Sequence, residues 1–402
     1  MTISLRPQPI GFFPFPAGLL LLPATSGGDD ALKRLLTGAI PSAFPPDWQF
    51  FMLALAGQRD AALELLTGDS SMTSYNRFVL SGQLEHIDDP QLSALSQAVA
   101  YTLGMADTPP PIETSDGEIA AFLGMVAAAH AIEAGATANA ESLLGAAIEA
   151  CRTASPLLAA HLLDQRAQLR RERESLAAAI QDWEAALRLA AKTELPGFLA
   201  HLHLSLGSAF HEACQGQRGS LEQATKHYQQ AITCGYGLET NPEMFAWTQQ
   251  QLALAYLAMP LQAASDQLRM GIAVQSLREA LKVYTKETHL ELWTSAELNL
   301  ANALQYLPSA HPKENLIQAV EIYEELLPYR ERAFDPLGYP RLLFNQANAL
   351  AHLGIFQPAL EKLNEAHKLF HWHGGAKLAA NALEQAAHIN EMMTASPALT
   401  TT

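Results

Sequence analysis

Three histidines near the carboxyl end of the sequence have the spacing best suited to metal ligation. His367 and His371 stand four positions apart in HKLFHWHGG, so a helix would place them on one face, and His373 follows near the predicted helix end. Two imidazoles at this spacing can chelate a divalent metal ion. Glu365 is the one acidic residue within a turn of them, and the helix dipole alone also favours imidazoles at such a position. We therefore interpret the segment first as a helix end and only second as a metal site.

The sequence contains none of the motifs that usually carry nucleotide, nucleophile or metalloprotease chemistry. It has no GxxxxGK[ST] or GxGxxG phosphate loop, no GxSxG turn, no HExxH and no paired CxxC. His201 and His203 alternate with leucines in HLHLS, so a helix would point them apart. Acidic runs such as EIYEELL occur freely on helix surfaces and do not by themselves indicate acid–base catalysis. We predict a protein that is not an enzyme and needs no cofactor.

The composition favours a large helical protein that does not bind nucleic acids or anionic membranes. Of its 402 residues, 49% are hydrophobic but only 7% are aromatic, and alanine is abundant, as is typical of close-packed helices. The net charge of −16 argues against a nucleic-acid partner and against binding to anionic membranes. Its three cysteines are too few and too scattered for a disulfide framework or a zinc site, so a reducing, cytoplasmic location is expected.

The amino-terminal stretch PIGFFPFPAGLLLLPATSGG looks superficially like a secretory signal. Prolines at positions 7, 9, 14 and 16 would break the helix that such a signal requires, and the run Leu19–Leu22 is too short to span a bilayer. We interpret residues 1–30 as a Pro-rich extended arm that lies over the first helices.

A recurring set of spacings predicts helical hairpins. From Ala347, small or apolar residues follow at offsets of 7, 12, 16 and 19 positions, namely Gly354, Ala359, Leu363 and Ala366. The matching residues of two further copies are Gly135, Ala140, Leu144 and Ala147 after Ala128, and Ala179, Trp183 and Ala186 after Ala167. Two helices can approach closely only where both present Ala or Gly, and a bulky residue then fills the gap beside that contact.

Further copies carry longer turns. The segments LSLGSAF, LALAYLA, LNLANAL and FNQANAL align, and each of the first three is followed by a second helix with Ala and Tyr four positions apart. We predict that the aromatic residues of the second helices are core residues: Trp183, Tyr228, Tyr284 and Tyr323. Segments 214–220, 259–275 and 307–315 are predicted to be loops and secondary candidates for partner contact.

These hairpins resemble the tetratricopeptide repeat, a 34-residue helix-turn-helix unit. Their long turns are similar to the bacterial variety that accompanies CHAT (caspase-like) protease domains, whose His and Cys motifs are absent here. The resemblance covers residues 115–390 and implies an all-α fold, a right-handed α-solenoid of antiparallel helical hairpins. The predicted divisions are an arm (1–30), irregular hairpins (31–106), a Pro-rich hinge (107–117), a repeat array (118–375), a cap helix (376–393) and a disordered tail (394–402).

The resemblance also implies a binding groove. In this family the first helix of each hairpin, helix A, lines the concave face, and the position after the small residue often holds an asparagine that binds a peptide backbone. Asparagine suits that role because its amide donates and accepts at once. The predicted groove residues are Asn299, Asn302, Tyr306, Arg341, Asn345, Asn348 and His352. The alternative left open is that these asparagines only tie neighbouring hairpins together.

The expected function is that of a non-catalytic scaffold or adaptor with a protein or peptide partner, in a hetero-complex or as a homodimer. Two other interpretations stay open: an accessory subunit of an enzyme assembly, and a regulatory sensor of a peptide or metabolite.

Overall fold

The structure is a computed structural model that describes residues 9–112, 115–260, 266–308, 311–330 and 336–395. Within these ranges every regular element is a helix and no strand is present. Residues 1–8 of the predicted arm, parts of the loops predicted at 259–275 and 307–315, and residues 396–402 of the predicted tail lie outside the described residues. No helix in the described ranges is long and apolar enough to cross a membrane.

The chain divides into two compact units, Met1–Ala213 and Cys214–Thr402. The described residues of the first unit form α1 (Asp29–Leu36), α2 (Gln49–Leu55), α3 (Arg59–Glu64), α4 (Ser71–Ser81), α5 (Pro90–Thr102), α6 (Gly117–Glu133), α7 (Thr137–Cys151), α8 (Pro156–Glu172), α9 (Leu176–Ala190) and α10 (Pro196–Glu212). The division falls inside the span 118–375, and the prediction of a single array over that span stays a prediction.

The described residues of the second unit form α11 (Arg218–Cys234), α12 (Pro242–Ala258), α13 (Asp266–Ala280), α14 (Leu290–Gln305), α15 (Pro312–Leu326), α16 (Gly338–His352), α17 (Phe356–Trp372) and α18 (Ala376–Ala395). From α2 to α10 in the first unit, and from α11 to α18 in the second, each helix packs against the next helix in chain order, which is the arrangement of a helical repeat array. We call the first helix of each hairpin an A helix; these are α6, α8, α10, α12, α14 and α16. The B helices, which complete a hairpin within one unit, are α7, α9, α13, α15 and α17.

Small residues allow the two helices of each hairpin to touch. Ala347 on α16 and Ala359 and Ala366 on α17 are fully buried. Gly124 on α6 shows how close the approach is, because a Cβ built on it would lie 2.9 Å from the Cβ of Ala147 on α7. Carbon atoms pack at about 3.5–4.0 Å, so nothing larger than glycine fits there without a shift of the helices.

The predicted core aromatics are confirmed. Trp183, Tyr228, Tyr284 and Tyr323 are each at most 2% exposed. A buried ring of this size fills the space beside a small-residue contact and contributes much of the apolar burial of its hairpin. The thiol of Cys151 is likewise buried, and burial raises its pKa to about 12.

All three predicted loops are wrong in part. Helix α11 begins at Arg218, inside the stretch 214–220, and α15 begins at Pro312, inside the stretch 307–315. The largest difference is at the remaining loop. Helix α13 begins at Asp266, within the stretch 259–275 that the sequence analysis assigns to a loop. The stretch DQLRMGIAV contains good helix formers, and its single glycine, Gly271, costs only about 1 kcal/mol in a helix interior. The helix packs against α12 and α14, which stabilises it.

The turns between paired helices require a left-handed backbone conformation. Gly135 follows α6 with φ of +73°, and Gly354 follows α16 with φ of +77°. Both lie seven positions after the small residue of helix A. In the α8–α9 hairpin the same position is Glu174, which adopts φ of +59° despite its side chain. An L-residue in this conformation brings its Cβ close to the following carbonyl oxygen, so this turn is strained.

Replacing Glu174 by Gly is therefore expected to raise the free energy of unfolding by about 1 kcal/mol, the left-handed penalty minus the extra entropy that glycine loses on folding. Urea denaturation followed by circular dichroism measures the change. Glu174→Ala is the matched control, because it removes the exposed carboxylate but keeps Cβ. Equal stability of the two variants would mean that the backbone at this turn is not strained.

Candidate functional site

The predicted groove residues form two stripes on neighbouring A helices of the second unit. Arg341, Asn345, Asn348 and His352 recur along α16 at intervals of three and four, so they share one face of that helix. The corresponding stripe consists of Asn299 and Asn302 on α14 and Tyr306 immediately after it. We call the surface made by these seven residues the asparagine face.

A hydrogen bond joins the two stripes. Nδ2 of Asn345 donates to Oδ1 of Asn302 at 2.8 Å. The same oxygen accepts the hydroxyl of Tyr323, on α15, at 2.7 Å, and Gln305 Nε2 donates in turn to that hydroxyl. Burial raises the pKa of Tyr323, which therefore stays protonated and donates. Asn302 thus links α14, α15 and α16, as the interpretation of a structural asparagine requires.

Asn348 is placed differently. Its side-chain oxygen is buried and accepts no hydrogen bond from the described residues. A buried acceptor without a donor costs free energy that the fold does not recover. Elsewhere on the asparagine face, Tyr306 is 61% exposed, and Arg341 and His352 are also exposed. The asparagine face therefore contains one amide that holds the hairpins together and one that the fold leaves uncommitted.

An asparagine that the sequence analysis missed binds an extended backbone in the first unit. Asn76 on α4 accepts the amide of Leu21 at 2.8 Å and donates to the carbonyl of the same residue at 2.9 Å. The neighbouring hydroxyl of Tyr75 donates to the carbonyl of Leu19 at 2.8 Å. The segment held in this way, Leu19–Leu22, is buried, and its backbone becomes extended at Leu20, where a short 3-10 helix ends. A helix of this chain thus holds an extended peptide by a paired asparagine contact.

A buried carboxylate, also missed from the sequence, sits on α8. Asp164 accepts three hydrogen bonds. The donors are the indole N–H of Trp183 at 2.8 Å, Nε2 of Gln168 at 3.0 Å and Nε2 of His201 at 3.1 Å. Burial alone would raise the pKa of Asp164, but the bond and charge of His201 and the other two donors lower it. The same bond raises the pKa of His201 against the effect of its own burial.

Arginine pairs extend this polar network along one edge of the first unit. Asp182 on α9 lies between Arg166 and Arg170, at 2.7 and 2.8 Å, and Glu141 on α7 bridges Arg170 and Arg173, at 2.8 and 2.6 Å. These pairs connect α7, α8 and α9. Their geometry satisfies each buried charge with a partner, which is what a structural ion network needs.

The predicted metal ligands do not converge. The rings of His367 and His371 stack 6.4 Å apart, and Nδ1 of His367 donates to the carbonyl of Ala379 on α18 at 3.0 Å. His373 follows α17 as its carboxyl-terminal cap. Among the residues that the structure describes, no group of three or more His, Cys, Asp or Glu side chains could hold a metal ion.

Comparison with known proteins gives structural likenesses only. No protein-family model and no curated protein matches the chain. The chain is similar to aspartyl phosphate phosphatase F from Bacillus subtilis, with 12% identity over 85% of this chain and 90% of that one and a TM-score of 0.41. It is also similar to a Rap protein complexed with competence and sporulation factor, with 13% identity over 86% and 97% of the two chains and a TM-score of 0.38.

A third solved structure, the TPR2AB domain of yeast Sti1 complexed with pHSP90, has 16% identity over 67% of this chain and 98% of that one, with a TM-score of 0.26. All three identities are low, and the assignment of the fold rests on the helix packing of this chain itself.

The two asparagines are expected to respond oppositely to truncation. Asn302→Ala removes the acceptor of the buried Tyr323 hydroxyl and should lower the free energy of unfolding by about 1–3 kcal/mol. Asn348→Ala removes a buried acceptor without a donor and should raise the free energy of unfolding by up to about 1 kcal/mol. Thermal and urea unfolding of both variants measure this.

The double variant Asn302→Ala with Tyr323→Phe is the control, since it removes both partners and should recover part of the loss. Equal stabilities of the two single variants would contradict the hydrogen-bond arrangement described above.

Proposed function

We propose that this protein is a non-catalytic interaction scaffold that binds an extended peptide segment of a partner protein across the asparagine face. The observation that carries the proposal is the side-chain oxygen of Asn348, which accepts no hydrogen bond from the described residues. This oxygen is covered, but the Asn348 side chain is only half-buried, so a rotation of that side chain would bring the amide to a bound peptide. Asn348 lies one helical turn from Asn345, which is already bound to α14. An extended peptide offers one N–H and one C=O per residue, and a side-chain amide can pair with both.

The contact between Asn76 and Leu21 supports this mode of binding. There an asparagine on a helix pairs with both backbone groups of one residue of an extended segment. The proposal transfers the same chemistry to Asn348 and a peptide from another protein. Recognition of this kind depends on the backbone, so it tolerates many sequences, and side-chain contacts must supply the specificity.

Exposed side chains of the asparagine face supply such contacts. Tyr306 offers a large ring with a hydroxyl, and Arg341 offers a guanidinium that can form two hydrogen bonds with a carboxylate. Because the chain carries a net charge of −16, an exposed arginine within an amide-rich face is a local site for an acidic group. The expected partner segment is therefore extended, with a carboxylate near Arg341 and an apolar side chain near Tyr306.

A random 12-residue peptide library selected on the wild-type protein tests this function. Peptides recovered by selection should bind Asn348→Ala about 3- to 10-fold more weakly, the equivalent of one lost hydrogen bond of about 0.7–1.4 kcal/mol. The matched control is Asn364→Ala, which truncates an exposed asparagine on α17 of the same hairpin and should leave the affinity unchanged.

Hydrogen exchange locates the bound peptide. Protection on binding is expected at α14 and α16. Selected peptides that bind Asn348→Ala as tightly as wild type, or that protect only α15 and α17, would contradict the proposal.

A further inference from the structure

Residues 9–18 form a closed loop that carries three phenylalanines. The amide of Gly11 donates to the carbonyl of Gly18 at 2.8 Å, and the amide of Gly18 donates to Pro14 at 3.1 Å. The chain after the loop is anchored by the buried run Leu19–Leu22. The loop is therefore fixed at its base.

The first residues of this loop, Gly11 and Phe12, lie on the A helices. A Cβ built on Gly11 would lie 3.1 Å from the ring of Phe122 and 3.7 Å from the side chain of Met125, both on α6. The ring of Phe12 meets His161 on α8 edge to face with ring centres 6.0 Å apart, and Phe198 on α10 at 5.8 Å. Three successive A helices thus contact two residues of the loop. This is the face on which the repeat array would present a groove.

The site of Phe12 is an aromatic slot. His161 and Phe198 lie 6.4 Å apart with tilted rings, and Phe12 completes the cluster. Nε2 of Gln165 is 3.1 Å from Nε2 of His161, so the amide donates to an unprotonated ring nitrogen. Burial lowers the pKa of His161, which favours this neutral form and an aromatic, uncharged wall. Phe12 itself is only partly buried in the slot, so it is held by a few contacts.

A pocket continues from the slot along the same helices. Its volume is about 370 Å³, and its floor is made by Met125, Ala129 and Ile132 of α6. Polar groups of α8 line one side, namely Gln165, Gln168 and Glu172. Met125 is shared with the contact of Gly11, and Gln165 with that of His161, so the slot and the pocket are adjoining parts of one surface.

We propose that the slot between His161 and Phe198 is a binding subsite for an aromatic side chain of a proline-containing partner peptide that turns as residues 11–16 do, and that Phe12 occupies it as an intramolecular competitor. The chemistry of the occupant follows from the segment that fills the slot, GFFPFP. The peptide continues into the adjoining pocket with a second apolar side chain. A partner binds only in the fraction of molecules whose slot is open, so Phe12 lowers the apparent affinity by that fraction. This inference concerns the first unit and does not rest on the function proposed for the asparagine face.

A peptide with the sequence of the loop itself tests the inference. The probe is acetyl-GFFPFP-amide with a fluorescent label, and the measurement is fluorescence anisotropy with wild type, Phe12→Ala and Phe15→Ala. Phe15→Ala is the matched control, because Phe15 belongs to the same loop but is 48% exposed and contacts Arg59. We expect Phe12→Ala to bind the probe at least 10-fold more tightly than wild type and Phe15→Ala to bind like wild type. Equal affinities of Phe12→Ala and wild type would overturn the inference.

Two further variants fix the location of the probe. Phe12→Ala combined with Phe198→Ala should lose the gain in affinity, because it removes one wall of the slot, and retention of the gain would contradict the slot. Phe12→Ala combined with Asn348→Ala should keep the gain, and its loss would place the probe on the asparagine face instead. If Phe12→Ala fails to fold, Phe12→Leu replaces it throughout, since leucine stays apolar but gives up the edge-to-face contacts.

Discussion

Close contact between the two helices of each hairpin is the constraint on which the rest of the structure depends. At Gly124 and Ala147, and at Ala347 with Ala359 and Ala366, the side chains are small enough for the helix backbones to approach. Each such contact buries little area, but it sets the distance between the two helix axes. The large residues of the hairpins, such as Trp183 and Tyr323, then fill the space beside the contact. In the second unit α14 packs against both α12 and α16, and α14 and α16 carry the residues of the asparagine face. In the first unit α6, α8 and α10 carry the aromatic and apolar residues that contact Gly11 and Phe12.

Some polar side chains of the helices are bonded to other helices of the chain, and others are not. Asn302, Asp164 and Asp182 each bind two or more partners on other helices, so they stabilise the packing and gain nothing from a ligand. Asn76 uses its amide for an extended segment of the chain itself. The amide oxygen of Asn348 accepts no hydrogen bond from the part of the chain that the structure describes. The difference lies in local geometry, because all three asparagines are on helices and have the same chemistry.

Much of the fold could be predicted from the sequence, because small residues at fixed offsets leave a periodic trace. The offsets from Ala347 locate the buried residues of the hairpin, and the Ala–Tyr pairs locate the core rings. Glu174 stands where the other turns have glycine, and it adopts the same left-handed conformation with a strained backbone. The loop predicted at 259–275 rests on Pro260 and Gly271, two residues typical of turns, but Gly271 lies inside α13.

The candidate sites were less predictable, since they depend on contacts between distant segments. Nothing in the local sequence of Phe12 indicates that it meets His161 and Phe198. Asn302 and Asn348 stand in the same local sequence, ANAL. Only Asn302, however, accepts a hydrogen bond from a tyrosine hydroxyl on the neighbouring helix. A spacing of 19 positions between Asp164 and Trp183, the same as between Ala347 and Ala366, was the one available signal for their contact.

The quartet ANAL occurs a third time, at 380–383 on α18, and this repetition allows the central claim to be measured directly. Ala347 is buried against α17, whereas Ala380, the first residue of the third quartet, is exposed. Leucine at 347 should force the helices apart and lower the free energy of unfolding by about 1–3 kcal/mol, while leucine at 380 should change it by less than about 0.5 kcal/mol. Urea unfolding of the two variants in parallel is the decisive comparison. Equal stabilities would show that close contact between the helices does not hold this protein together.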